Sequence, residues 1–189
     1  NGKGSTCALL ASLVAGQGLS VGVYSSPHLL RYNERVRINA EEVSDAQLCA
    51  AFTAVEEARA EVSLTYFEMG TLAAFWLFAQ SSLDVVILEV GLGGRLDAVN
   101  IVDADVAVVT SIGIDHTDWP GDTREAIGFE KAGICRAGRP LVCGEADVPA
   151  SILAHAASVG CRRRRKGRDF GFEQQAQAWG WWSRQSRHE

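Results

Sequence analysis

Residues able to bind phosphate open the chain. It begins NGKGST, in which glycines flank Lys3, and a small apolar stretch with helical spacing follows. Glycine lets backbone N–H groups approach phosphate oxygens, lysine offers them a cation, and a helix N-terminus favours an anion. We therefore predict a nucleotide-phosphate site at Asn1, Gly2, Lys3, Gly4 and Ser5. A complete phosphate-binding loop also has a leading glycine and a hydroxyl residue directly after the lysine, so a plain N-terminal turn is the alternative.

Acidic and histidine side chains follow two apolar runs further along the chain. Glu89 lies in the run DVVILEV, and His116 lies in SIGIDHTDWPG, which follows the run DVAVVT. Because ligands bind at the carboxyl ends of parallel strands, we expect both side chains at one crevice. Such side chains can hold a divalent ion that bridges ATP phosphates. A dinucleotide-binding turn after Glu89 and a purely structural role for His116 are the alternatives.

Two shorter segments add candidate residues. SSPH, residues 25–28, follows the first strand-like run and brings a third strand end to the same crevice. EKAGI, residues 130–134, lies on the helix predicted after the His116 loop. Taken alone, Lys131 of this segment is interpreted as an exposed helical lysine.

Apolar periodicity predicts the elements that position these residues. Strands of β-branched residues that alternate with helices are typical of right-handed βαβ units. We therefore predict an α/β fold with a doubly wound, mostly parallel sheet, in one domain over residues 1–189. Helices are predicted at 5–15, 44–60, 67–80, 123–134 and 149–159, and strands at 20–24, 84–90, 105–110 and 140–143.

Composition excludes several classes of protein. The 189 residues are 47% hydrophobic with a net charge of −5, and no apolar run approaches the roughly 18 residues of a membrane span. The five cysteines form no Cys-x-x-Cys pair, which indicates reduced core thiols in a cytoplasmic protein. The basic run 162–166 is interpreted as a solvated turn rather than a nucleic-acid site, and 169–172 with 178–182 could form a hairpin.

Together these segments resemble the Mur ligase superfamily, and within it the dihydrofolate synthase/folylpolyglutamate synthase family. The resemblance covers residues 1–145 and implies the phosphate-loop central domain of a Mur ligase. It also implies that residues before the phosphate loop and a C-terminal glutamate ligase domain are absent, so we expect no ligase activity from the 189 residues alone. It rests on NGKGST, VGVYSSPHLLRYNERVRIN, LTYFEMGTLAAFWLF, LDVVILEVGLGGRLDAVNIVDADVAVVTSIGIDHTDWPG and EKAGI.

The resemblance implies a role for each matched site residue. Lys3 contacts ATP, and Ser26, Glu89 and His116 hold magnesium. Lys131 is N-carboxylated and helps to organise a second metal ion, so that Lys3, His116 and Lys131 form the catalytic set. The pteroate substrate lies against two segments, formed by Thr65, Tyr66, Phe67 and Glu68 and by Leu96, Asp97 and Ala98.

The implied reaction joins L-glutamate to dihydropteroate or to the γ-carboxylate of a reduced folate, with ATP and Mg²⁺ as cofactors. The implied protein is a cytoplasmic monomer without nucleic-acid or membrane partners. A cell-wall amino-acid ligase of the same superfamily is one alternative, although LTYFE and YSSPHL favour folate. A catalytically inactive ATP-binding piece of the folate enzyme is the other. A GTPase is disfavoured because no Asn-Lys-x-Asp motif occurs.

Overall fold

The computed structural model describes residues 1–113, 123–174, 178–184 and 186–188, the last three by their backbone alone. The chain divides into two compact units. The amino-terminal unit comprises residues 2–92 and 97–101. The carboxy-terminal unit comprises residue 1, residues 93–96 and the described part of 102–189. The amino-terminal unit has one β-sheet and the carboxy-terminal unit has two, and each unit has its own buried apolar residues.

The amino-terminal unit is built on a four-stranded sheet in the order β3-β2-β1-β4, in which β1 and β4 are parallel and the other pairs are antiparallel. Its helices and strands are α1 (Lys3–Ala15), β1 (Val21–Tyr24), β2 (Val36–Ile38), β3 (Glu41–Glu42), α2 (Asp45–Arg59), α3 (Tyr66–Ala79) and β4 (Val85–Leu88). Short 3-10 turns at Tyr32–Arg35 and Ala98–Ile101 complete the unit.

Local sequence signals explain where these helices begin. Ser44, at the start of the predicted helix 44–60, is the N-cap of α2. Its hydroxyl accepts a hydrogen bond from the Gln47 N–H group, and the Gln47 side-chain oxygen accepts one from the Ser44 N–H group. This reciprocal capping box satisfies two backbone donors that the helix itself leaves unpaired. Helix α3 is apolar around much of its circumference because it is buried against the sheet and α2, where Leu77 and Phe78 join Tyr24 in the core.

The carboxy-terminal unit combines a parallel and an antiparallel sheet. Strands β5, β6 and β7 are parallel, and helices α4 and α5 connect them, whereas β8, β9 and β10 form an antiparallel meander. Leu141 and Ile152 are fully buried between the parallel strands and the helices. The elements are β5 (Ala107–Val109), α4 (Arg124–Ala132), β6 (Pro140–Cys143), α5 (Ala150–Val159), β7 (Arg162–Arg165), β8 (Phe170–Gln174), β9 (Trp179–Ser183) and β10 (Ser186–His188).

The α/β fold is confirmed, and so is the hairpin in the C-terminal part of the chain, which β8 and β9 form. The predicted solvated turn at residues 162–166 is wrong, because β7 (Arg162–Arg165) pairs in parallel with β6. The sequence of this strand lacks the apolar residues that predict a strand, because all four of its residues are arginines. Pairing of the backbone does not need apolar side chains. All five cysteines are free thiols. None of the described helices is both long and apolar enough to span a lipid bilayer.

Candidate active site

The glycine-rich start of the chain forms the N-terminus of α1, as predicted. Gly2 has φ of +80°, a left-handed conformation that glycine adopts without strain, and the helix begins at Lys3. Thr6 closes the first turn through hydrogen bonds from its N–H group and its hydroxyl to the Gly2 carbonyl oxygen. The first turn contains no acidic residue, so the positive end of the helix dipole remains available to an anion.

Asn1, the first residue of the predicted phosphate site, is held within the carboxy-terminal unit. Its carbonyl oxygen accepts hydrogen bonds from the hydroxyls of Thr110, at 2.9 Å, and Ser111, at 3.2 Å. Both hydroxyls directly follow β5. Polar residues at this strand end therefore hold the backbone of Asn1 within the carboxy-terminal unit.

Glu89 follows β4 and is the buried carboxylate of the amino-terminal unit, with only 6% of its surface exposed. Its Oε2 atom accepts a hydrogen bond from the Ser26 N–H group at 3.3 Å. Burial raises the pKa of Glu89, whereas the Ser26 hydrogen bond and the charge of Lys3 act in the opposite direction. A Cβ atom placed on Gly4 would lie 3.8 Å from the same oxygen, so the first turn of α1 reaches the carboxylate.

This geometry brings together four of the predicted site residues, Lys3, Gly4, Ser26 and Glu89. The expected convergence of Ser26 and Glu89 is confirmed, because β1 and β4 are parallel neighbours with aligned carboxyl ends. Carboxylate and hydroxyl oxygens suit a magnesium ion, and a buried anion gains from such a counterion. Over the described residues, no three His, Cys, Asp or Glu side chains form a metal cluster. His116 lies outside the described residues.

Lys131 lies near the end of α4, where it is half-buried instead of solvent-exposed. The loop 93–96 lies against this part of the helix within the carboxy-terminal unit. Arg95 donates its N–H group to the Glu130 carbonyl oxygen at 2.8 Å, and its guanidinium pairs with the Glu130 carboxylate at 3.0 Å. Gly94 is buried there, and a Cβ atom on it would lie 2.7 Å from the Glu130 carbonyl oxygen. The two motifs therefore fit together through backbone contacts.

This close approach predicts a large cost for Gly94→Ala. The added methyl group would also lie 3.0 Å from the Lys131 Cα atom, and helix backbone cannot move aside as a side chain can. We expect the free energy of unfolding to fall by about 1–3 kcal/mol in urea denaturation, as in overpacked cores. Gly93→Ala is the matched control, because its Cβ atom meets nothing within 4 Å and adds only the left-handed strain of φ +69°. Equal losses in the two variants would contradict the packing argument.

The predicted substrate segment 65–68 begins helix α3. Thr65 and Glu68 form a capping box, in which the Glu68 carboxylate accepts from the Thr65 N–H group at 2.7 Å and the Thr65 hydroxyl accepts from the Glu68 N–H group at 3.3 Å. These bonds hold the pKa of Glu68 below its usual value. Phe67 packs against Gly91 and Tyr24. Tyr66, by contrast, is 65% exposed.

The second predicted substrate segment, residues 96–98, is organised by Asp97. Within the amino-terminal unit, the Asp97 carboxylate accepts hydrogen bonds from the N–H groups of Leu92, at 2.9 Å, and Val99, at 3.1 Å. Ala98 begins a 3-10 turn, and Leu96 is 80% exposed. The Asp97 carboxylate therefore holds the backbone of this loop at Leu92 and Val99.

Two polar residues in the loop between β1 and β2 were not among the predicted site residues. The Glu34 carboxylate accepts hydrogen bonds from the N–H groups of three successive residues, 29–31, at 2.6–2.7 Å, and these bonds lower its pKa to about 2. Arg35, the next residue, is buried. The signal available for Glu34 was its position three residues after Arg31, the spacing of a capping box. No local pattern marks Arg35.

Comparisons with known proteins agree with this architecture. A search of protein-family models gives no match. The dihydrofolate synthase/folylpolyglutamate synthase of Haemophilus influenzae is 57% identical over 189 residues, which is 100% of this chain and 43% of that protein. The Escherichia coli protein of the same name is 57% identical over 91% of this chain and 41% of its own length. The chain thus spans less than half the length of these relatives.

Solved structures show the same similarity. A bifunctional folylpolyglutamate synthase/dihydrofolate synthase from Yersinia pestis, complexed with AMPPNP and Mn ion, matches with a TM-score of 0.97 and 55% identity. Escherichia coli FolC in complex with DHPP and ADP matches with a TM-score of 0.96 and 53% identity. Each match covers 100% of this chain and 46% of the solved one.

The glycine-led helix α1, the parallel strands and the buried glutamate at a strand end belong to an α/β protein, and the solved structures that the chain matches give it the fold of the Mur ligase class. The similarity of sequence and fold over the whole chain narrows this class to one family. The chain belongs to the dihydrofolate synthase/folylpolyglutamate synthase family.

Proposed function

We propose that this chain supplies the ATP- and acceptor-binding residues of an ATP-dependent ligase. The ligase joins L-glutamate to dihydropteroate, to the γ-carboxylate of a reduced folate, or to both. The observation that carries the proposal is 57% identity to a dihydrofolate synthase/folylpolyglutamate synthase over all 189 residues. The grouping of Lys3, Ser26 and Glu89 in the amino-terminal unit supports it.

The chemistry needs an activated carboxylate. The acceptor carboxylate attacks the γ-phosphorus of ATP, ADP leaves, and an acyl phosphate results. The amino group of L-glutamate then attacks the acyl carbon, phosphate leaves and an amide forms. Negative charge crowds the phosphate site during the first step, so the Lys3 ammonium and the N-terminus of α1 would stabilise it there.

A divalent ion fits the oxygen donors at this site. Glu89 and Ser26 would hold it in the amino-terminal unit. The magnesium-binding role that the family resemblance implies for His116 stays a prediction. A carboxylate that is buried with a raised pKa, as Glu89 is, becomes easier to keep ionised beside a cation. When bound, such an ion neutralises charge on the phosphates of ATP. In the carboxy-terminal unit, we propose that Lys131 is N-carboxylated and helps to organise a second metal ion.

The test is a coupled assay of ADP release by the protein from its complete reading frame. We expect release only when ATP, Mg²⁺, L-glutamate and either dihydropteroate or tetrahydrofolate are all present, because the amine traps the acyl phosphate. Omission of L-glutamate is the matched control. Turnover with a UDP-linked muramyl substrate in place of the pterin substrate would refute the folate assignment. A cytoplasmic location and a monomeric state remain predictions from the sequence.

A further inference from the structure

The loop between β1 and β2 contains a buried cation, Arg35. Arg35 is 9% exposed. No aspartate or glutamate in the part of the chain that the structure describes forms an ion pair with it. Arginine is rarely this buried in proteins unless a partner compensates its charge, because desolvation penalises the charged form. The missing counterion therefore needs an explanation.

Four ring side chains lie next to the guanidinium. Its Nε atom donates to His28 Nδ1 at 2.8 Å, and Tyr24 shares a further side-chain hydrogen bond with it. The guanidinium carbon lies 5.3 Å from the ring centre of Tyr32 and 5.6 Å from that of Tyr66. Aromatic faces attract a cation but do not neutralise it, and a guanidinium has five N–H donors in a planar fork that matches a carboxylate.

The position of this cation ties it to the candidate active site of the amino-terminal unit. The Ser25 N–H group donates to the Arg35 carbonyl oxygen at 2.9 Å, and the next residue, Ser26, donates its N–H group to Glu89. The backbone of Arg35 is therefore anchored one residue away from the hydrogen bond between Ser26 and Glu89. The exposed ring of Tyr66 lies beside the guanidinium on its other side and offers an aromatic surface next to a positive charge.

We propose that Arg35 is a positioning residue that pairs with a carboxylate of the acceptor substrate while Tyr66 packs against the aryl ring. This inference rests on the proposed function and adds to it the residue that recognises the charge of the acceptor. Dihydropteroate is an aryl carboxylate, so it matches a cation flanked by aromatic rings.

The test compares two ligands that differ only in charge. Dihydropteroate and its neutral carboxamide are titrated, without nucleotide, into the protein from its complete reading frame and followed by fluorescence. We expect Arg35→Met to weaken dihydropteroate binding about 10-fold to 100-fold, the range of a charge-assisted hydrogen bond, and to change carboxamide binding by less than about 3-fold. Arg37→Met is the matched control, because Arg37 is exposed on β2 and pairs with Glu42 at 3.3 Å. It should change neither.

Each outcome separates one explanation from another. Equal losses for both ligands would assign Arg35 a purely structural role and refute the proposal. A loss for dihydropteroate alone, with an unchanged KM for ATP in the ligase assay, supports it. Tetrahydrofolate as a third ligand shows whether the aryl carboxylate or a glutamyl carboxylate is engaged, since dihydropteroate lacks the latter. Failure of the unmodified protein to bind any of these ligands would refute the proposed function, and this inference with it.

Discussion

Lys131→Ala is expected to lose ligase activity by about 100-fold or more, the upper range for residues that organise a metal site. The neutral amine of Lys131 would react with carbon dioxide and release a proton, and the product is a carbamate. This change turns a cation into an oxygen ligand of opposite charge. Activity of the alanine variant should return in part when acetate is added, because acetate supplies a carboxylate of similar size.

Lys131→Arg distinguishes the carbamate from a simple positive charge. A guanidinium keeps the charge but cannot be carboxylated, so this variant should stay inactive with or without acetate. Sodium chloride at the same ionic strength is the control for the acetate effect. Full activity of Lys131→Arg would show that only positive charge matters at this position and would end the carbamate hypothesis.

Glu89→Gln is expected to change metal affinity and stability in opposite directions. Loss of a charged ligand should weaken Mn²⁺ binding in the presence of AMPPNP by roughly 100-fold or more, measured by calorimetry. Without metal, the same variant should be more stable at pH 7 than the unmodified protein. The reason is that glutamine has nearly the same shape but no charge to bury.

The sign of the stability effect follows from the pKa of Glu89. Burial raises it above the ordinary value of 4.5, so the folded state holds this proton more tightly than the unfolded state does. The resulting stability is present below the unfolded pKa and is lost as the pH rises through the raised folded pKa. Urea denaturation at pH 4 and pH 7 measures the difference. Glu42→Gln, on exposed β3, is the control, and an unchanged Mn²⁺ affinity in Glu89→Gln would remove Glu89 from the metal site.

The sequence predicts the regular elements well where side chains carry the signal. The apolar runs at β1, β4, β5 and β6 mark buried strands, and Ser44 marks the start of α2. Strands β2 and β3 have only three and two residues, too few for alternation to be visible. Strand β7 carries four arginines, and its identity as a strand lies in its backbone pairing with β6.

The part of the candidate site that lies at the ends of parallel strands could be predicted from the sequence. Ser26 and Glu89 meet because two parallel strands end side by side, and this follows from the α/β pattern alone. The contacts of Arg35 could not be predicted, since Tyr66 lies 31 residues away and approaches through tertiary packing. The contact between Gly94 and α4 is also tertiary, although both motifs were recognised separately.

The Glu34 carboxylate orders the part of the loop between β1 and β2 that precedes the 3-10 turn at Tyr32–Arg35. Three successive N–H groups donate to this one side chain, so one substitution at position 34 removes all three hydrogen bonds at once. Leu29 and Leu30, each about nine-tenths exposed, are two of the residues whose N–H groups donate to Glu34. A substitution of Leu29 or Leu30 therefore changes only an exposed side chain. A substitution of Glu34 removes the bonds that hold the backbone of both leucines.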